Sequence, residues 1–176
     1  GKQDYDVINF MSNTKNGKNA SLNLLNYDLN INGVRSIFLS DSQNVYIYPA
    51  NQKISVKKNR DFTFAGQVHA GLFDFFGREF SFEYDNFKIN LKNVDSLRLS
   101  IYGEENREGG RDIIPIKTVI EYINGELLVD KPFNKSGYKP SPTYPIFHSL
   151  KDSYTFYQRS SIQRGVYKKD NFYFHL

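Results

Sequence analysis

Three observations in the sequence predict an all-β fold of many short antiparallel strands, arranged as a solenoid-like stack or a β-sandwich. Aromatic residues are frequent, with 15 Phe and 13 Tyr among 176 residues and no Trp, and such side chains suit a pleated, half-buried surface. Between 43 and 101 the apolar residues fall in short alternating runs ("NVYIYP", "KISVKK", "DFTFAGQV", "LFDFF", "EFSFEYD", "NFKINL", "SLRLSI") divided by Gly, Asn or charged residues. Short strands at that spacing signal a sandwich, barrel or solenoid. Third, "LNINGVRSIFLS" at 29–40 returns as "INLKNVDSLRLS" at 89–100, with Asn30 matching Asn90, Val34 matching Val94 and Leu39 matching Leu99. Two strand-turn-strand units of matched apolar phase can stack or pair as equivalent layers.

Along the chain, "YDVINF" (5–10) reads as a strand and "SNTKNGKNAS" (12–21) as a polar loop. A strand over 22–31 then meets Asn32-Gly33, a pair that favours the type I′ turn, so 22–31 and 34–39 are expected to form a hairpin. Within 62–91 the apolar parity switches three times: Phe62, Phe64, Val68 and Ala70, then Phe73 and Phe75, then Phe80 and Phe82, then Phe87, Ile89 and Leu91. The switches fall near Gly71, Gly77 and Asp85-Asn86, the places for corners or bulges that keep one apolar side on one core. "GEENREGGRD" (103–112) has no apolar residue and is expected to be a mobile loop between a β-repeat region (1–102) and an aromatic, basic β subregion (113–176) packed on it. For 114–130, dense β-branched residues around Asn124-Gly125 favour a second hairpin, with a short helix near 116–123 as the alternative. "KPFNKSGYKPSPTYP" (131–145) holds four of the six prolines and reads as an extended surface connection. Two or three aromatic strands complete the chain.

A compact chain of this length buries roughly 70% of its unfolded surface and needs no disulfide or metal to hold it. Cysteine is absent, which removes thiolate nucleophiles, thiolate metal sites and disulfides together. No apolar run approaches the ~20 residues of a membrane-spanning helix. The net charge of +4 is unevenly placed: 139–176 carries Lys139, Lys151, Arg159, Arg164, Lys168 and Lys169 against Asp152 and Asp170, while 1–138 is balanced. Basic residues interleaved with aromatics are what a glycan or polyanion binder uses, and they are also what a two-faced strand looks like. If the stretch binds, Tyr144, Tyr154, Tyr157, Lys168, Lys169 and Tyr173 are its candidate contact residues. Nucleic acid is disfavoured, because the basic excess is small.

Histidines 69, 148 and 175 lie far apart, without a partner at a recognisable ligand spacing. Glu83 with Asp85, and Asp74 with Glu79, are the carboxylate pairs that glycoside hydrolysis would require, but no nucleophile elbow, phosphate loop or calcium loop accompanies them. "NAS" at 19 and "NKS" at 134 match the N-glycosylation pattern. No catalytic residue, cofactor or metal is expected.

The stretch "KKNRDFTFAGQVHAGLFDFFGREFSFEYDNFKINLKNVDSLRL", followed by "NKSG", "YPIFHS" and "GVYKKDNFYFHL", resembles part of large β-rich bacterial proteins that are secreted or envelope-associated. The resemblance covers most of 30–176, implies a slice of a longer extracytoplasmic chain (periplasmic, outer-envelope or secreted), and carries over no catalytic residue. The chain opens on Gly1 without an initiator Met and stops inside "NFYFHL", which fits the same expectation. "FAGQV…FSFEYDNFKINL" is similar, more loosely, to the stacked sheets of bacterial lipid and lipopolysaccharide transport proteins. The sequence thus favours a non-enzymatic structural or interaction module whose first partner is the rest of its own chain. The alternative is a glycan- or lipid-binding module; a glycan binder should show a row of exposed Tyr or Phe, and a lipid carrier a continuous apolar groove.

Overall fold

The computed structural model describes residues 8–15, 17–40, 42–106, 109–121, 123–151, 154–156 and 173–175. The strands are β1 (Ala20–Leu22), β2 (Leu29–Asn32), β3 (Ile37–Phe38), β4 (Val45–Pro49), β5 (Lys53–Val56), β6 (Phe62–Ala70), β7 (Phe73–Glu83), β8 (Lys88–Glu105), β9 (Arg111–Glu121), β10 (Ile123–Leu128), β11 (Ile146–Ser149), β12 (Tyr154–Phe156) and β13 (Tyr173–His175). All belong to one antiparallel sheet, which does not close on itself. Among the described residues there is no α-helix, and Ala50–Gln52 forms a 3-10 turn.

Six legs of chain run alternately up and down: β2 with β3, β4 with β5, then β6, β7, β8, and lastly β9 with β10, which lie end to end beside β8. Each leg pairs with the next. Five carry a kink, seen as a positive φ at Gly33 (74°), Asn51 (53°), Gly66 (138°) and Asn93 (49°) and as a register shift between Phe76 and Gly77; in the sixth, register shifts between Ile123 and Gly125. The kinks are neighbours. Val34 N–H donates to the Gln52 carbonyl at 3.0 Å, Gly66 pairs with Gly77, Gly77 pairs with Val94, and Asn93 N–H donates to Asn124 Oδ1 at 3.0 Å. A bulge bends its strand, so a file of them creases the sheet into two half-sheets.

The first half-sheet holds β1, β2, β5, β10 and β11 with the adjoining ends of β6, β7 and β8; the second holds β3, β4, β9, β12 and β13 with the other ends. Phe62, Phe80, Phe82, Phe87, Ile89 and Leu91 of the first, and Val45, Ile47, Val68, Phe75 and Leu97 of the second, are buried in one core. Phe62 stacks on Phe82 at 4.9 Å, Phe64 meets Phe80 edge-on at 5.6 Å, and Phe10 of the N-terminal chain meets Phe62 edge-on at 5.5 Å. Phe147 of β11 reaches across the crease to Phe75 at 5.1 Å. Each such ring contributes about 2–3 kcal/mol through burial alone.

The far corner is closed by a buried carboxylate. Asp130 is 1% exposed. Its Oδ2 accepts from Ser40 Oγ (3.4 Å), Gln43 Nε2 (3.3 Å) and Asn134 Nδ2 (2.9 Å), and its Oδ1 from Lys131 N–H (2.7 Å). Both oxygens are met by neutral donors, as a buried polar group requires. The 131–145 segment crosses the surface as expected, with Phe133 and Tyr138 exposed, while Asn134, Ser136 and Ser141 turn inward and are buried. The Asn134 amide is spent on Asp130 and Lys139, while Asn19 is exposed.

The all-β expectation holds, and the solenoid-or-sandwich layout resolves into one creased sheet with fewer, longer strands. Gly71 and residues 84–87 are the expected corners, and Gly77 is the expected bulge. Neither Asn-Gly pair makes a hairpin. β2 pairs with β1 and β5, and Leu24 and Leu25 lie in an exposed turn between β1 and β2. Gly125 lies inside β10, where a Cβ would stand 2.5 Å from the Phe147 ring; its bareness lets that ring reach the crease. No helix forms near 116–123, which belongs largely to β9. In the stretch 103–112, residues 103–105 and 111–112 are strand, with Glu105 paired to Arg111, and β8 passes through the expected boundary at 102. The repeated phrase is realised as the same kinked leg twice: Gly33 and Asn93 occupy matching positions at positive φ, and Ile31, Val34 and Ile37 are buried as Leu91, Val94 and Leu97 are.

Candidate binding face

Alternation along a strand sends every second side chain of the second half-sheet outward. Those positions are Phe38 on β3, Tyr46 and Tyr48 on β4, Gln67 and His69 on β6, Asp74 and Phe76 on β7, and Ser96 and Arg98 on β8. Register sets them in two rows: Phe38, Tyr46, His69, Asp74 and Arg98 face one another in turn, as do Tyr48, Gln67, Phe76 and Ser96.

Phe38 and Tyr46 lie 4.8 Å apart between ring centroids, and Tyr46 stacks on Tyr48 at 6.2 Å and meets the His69 ring at 6.3 Å. Phe38 is 37% and Tyr48 41% exposed. Asp74 Oδ1 lies 2.8 Å from His69 Nδ1 and accepts from Gln67 Nε2 at 2.8 Å. The Arg98 guanidinium sits 4.7 Å over the Phe76 ring, a cation–π contact that holds it flat on the sheet. The result is a rigid strip of ring faces beside an amide, an imidazole, a carboxylate and a guanidinium. A flat ligand with C–H faces and a hydroxyl rim finds both packing and hydrogen-bond partners there.

The outer side of the first half-sheet is charged instead. Lys88 Nζ donates to Glu126 Oε2 at 2.7 Å and lies 3.9 Å from Glu83 Oε2. The Lys88 hydrogen bond holds the Glu126 carboxyl below its ordinary value, and Glu126 in turn raises the Lys88 ammonium. Glu83 is lowered first by Asn86 and then by Asn90, which donate at 2.9 and 2.6 Å. These groups satisfy one another across three strands.

Of the residues singled out in the sequence, Tyr144 is half-buried ahead of β11, its N–H given to the Ser141 carbonyl at 3.0 Å. Tyr154 and Tyr173 fall on β12 and β13, which pair at the opposite end of the sheet from β3 and β4. Their side chains, and Tyr157, Lys168 and Lys169 altogether, lie outside the described residues. The two carboxylate pairs are split: Asp85 meets Arg60, Glu79 meets Asn93, and Asp74 turns to His69. Among the described residues no three metal-ligating side chains cluster, and no helix is long and apolar enough to cross a membrane, which says nothing of strands. The His69–Asp74 pair was missed in the sequence, although a two-residue turn at Gly71-Leu72 places 69 opposite 74 by counting outward. Comparison with protein families, curated proteins and solved structures finds no match.

Proposed function

We propose that the chain is a non-enzymatic binding module of a larger extracytoplasmic protein, and that it takes a glycan on the outer face of the second half-sheet. The observation that carries the reading is the aromatic ladder Phe38–Tyr46–Tyr48, exposed at Phe38 and Tyr48 and half-buried at Tyr46, beside Gln67, His69 and Asp74. Aromatic rungs partly open to water on a sheet whose other face already holds the core suit the apolar face of a pyranose ring. A lipid occupant is less well supported, because the crease it would need is filled by Phe75, Phe147 and Phe80.

The test is titration calorimetry with a panel of neutral oligosaccharides on the wild type and on the Tyr46→Ala/Tyr48→Ala double variant. The expected result is a bound member of the panel whose Kd weakens by about tenfold or more in the variant, with an unchanged circular dichroism spectrum. Failure of the whole panel to bind, or equal binding by the two proteins, sinks the reading.

A further inference from the structure

Where the crease meets the edge of the sheet, residues 13–15 and 17–18, the Asn32–Arg35 stretch and the Asn51–Lys53 stretch line an open cleft of about 650 Å³. Its wall contains Lys15, Lys18, Arg35 and Lys53 and no Asp or Glu. Lys57, Arg78 and Lys88 find carboxylate partners in Asp28, Asp95 and Glu126. Among the described residues the four cleft cations have no carboxylate partner. Like charges closer than a Debye length of about 8 Å repel one another, and an anion placed among such cations relieves that repulsion.

The wall is braced. Asn13 N–H donates to the Gly33 carbonyl at 3.0 Å, Ser12 Oγ to the Asn32 carbonyl at 2.6 Å, and Asn32 Nδ2 to the Lys18 carbonyl at 3.1 Å. A Cβ on Gly33 would stand 2.5 Å from the Asn13 carbonyl oxygen, so the loop closes on the sheet only over glycine. Less ordering is then left to oppose a ligand's arrival. β4 leads from Tyr48 straight into the 50–52 turn and Lys53, and Arg35 precedes Phe38 on the neighbouring leg, so each of these two legs carries both an aromatic rung and a cleft cation.

We infer that this cleft binds the carboxylate or sulfate group of an acidic saccharide whose neutral rings lie on Tyr46 and Tyr48. The inference rests on the glycan reading and extends it to a ligand class. The experiment compares four probes by calorimetry, a neutral oligosaccharide, its uronate-bearing counterpart, inorganic sulfate and duplex DNA, on the wild type and on Arg35→Gln/Lys53→Gln. The wild type is expected to bind the uronate form about tenfold more tightly than the neutral one at low salt. The double variant should lose that preference, keep its affinity for the neutral probe and melt at the wild-type temperature. Equal affinity for the two saccharides in the wild type, or a preference that survives in the variant, overturns the cleft assignment while leaving the glycan reading intact. Binding of sulfate with no saccharide bound overturns both the ligand class and the glycan reading, and so does tighter binding of duplex DNA than of any saccharide.

Discussion

The two half-sheets are built from the same legs and share one core, yet they turn different surfaces to water. On the first, Glu83, Lys88, Glu126 and Asn90 tie the outer face together with hydrogen bonds. On the second, the corresponding rows carry Phe38, Tyr46, Tyr48 and Phe76. An outer face spent on internal partners has little left for a ligand, whereas Phe38 and Tyr48, 37% and 41% exposed, keep part of each ring open to one. The difference divides the labour: the first half-sheet is a closed support, and the second offers a surface.

Aromatic residues on the two sides of the sheet should therefore differ in what their removal costs, and this is the largest effect expected. Phe82 is fully buried, stacked on Phe62 and edge-on to Phe87. Phe82→Ala should destabilise by about 3–5 kcal/mol, through lost burial and the cavity left behind. Tyr48→Ala, at an exposed position, should stay within about 0.5 kcal/mol. Urea unfolding of both variants checks the contrast, and comparable losses would mean that the outer ladder is part of the stabilising core.

The crease can be tested where it is tightest. A Cβ on Gly66 would stand 2.2 Å from the Tyr48 carbonyl oxygen and 2.7 Å from Ala50 N, both backbone, at a φ of 138° that side chains rarely adopt. Gly66→Ala should cost about 2–3 kcal/mol, since neither atom can give way without moving the neighbouring leg. Because β6 crosses both halves, the loss should appear as one cooperative urea transition. Two separate transitions would show that the halves fold independently and that the shared core overstates their union.

The sequence revealed the strands better than their connections. Apolar parity located β4 to β8 and marked Gly77 as a bulge, since alternation and its interruption are local properties. Asn32-Gly33 and Asn124-Gly125 misled for a physical reason. Gly33, at positive φ, bends a leg that continues instead of turning it back, and Asn124-Gly125 stays extended inside β10; partners distant in sequence decide both outcomes. Gly33 lies against Asn13, and Gly125 under the Phe147 ring. The repeated phrase was legible as construction, but only pairing showed each copy to be one kinked leg. The site was less visible still. Phe38, Tyr46 and Phe76 look like ordinary members of alternating strands, and only register sets them beside His69 and Asp74, while the aromatic, basic tail drew notice by composition alone.

The smallest effect concerns the charged row, and its sign with pH follows from the shifts. Glu83 and Glu126 have folded values below their unfolded ones, near 4.3. Their contribution is fully present above that value and is lost as pH falls through the lowered folded values. Lys88 is raised, so its contribution is present below its unfolded value, near 10.4, and is lost as pH rises through the raised one. Lys88→Gln should therefore cost about 0.5–1 kcal/mol at pH 7, the size of a partly exposed pair. It should also soften the fall in stability below about pH 5, because Glu126 then loses the hydrogen bond that lowers it most. Thermal melts between pH 3 and 8 would record both. The same variant should bind oligosaccharide as the wild type does, because its partners lie on the first half-sheet; a weakened Kd would join the two outer faces into one site and end the division of labour between them.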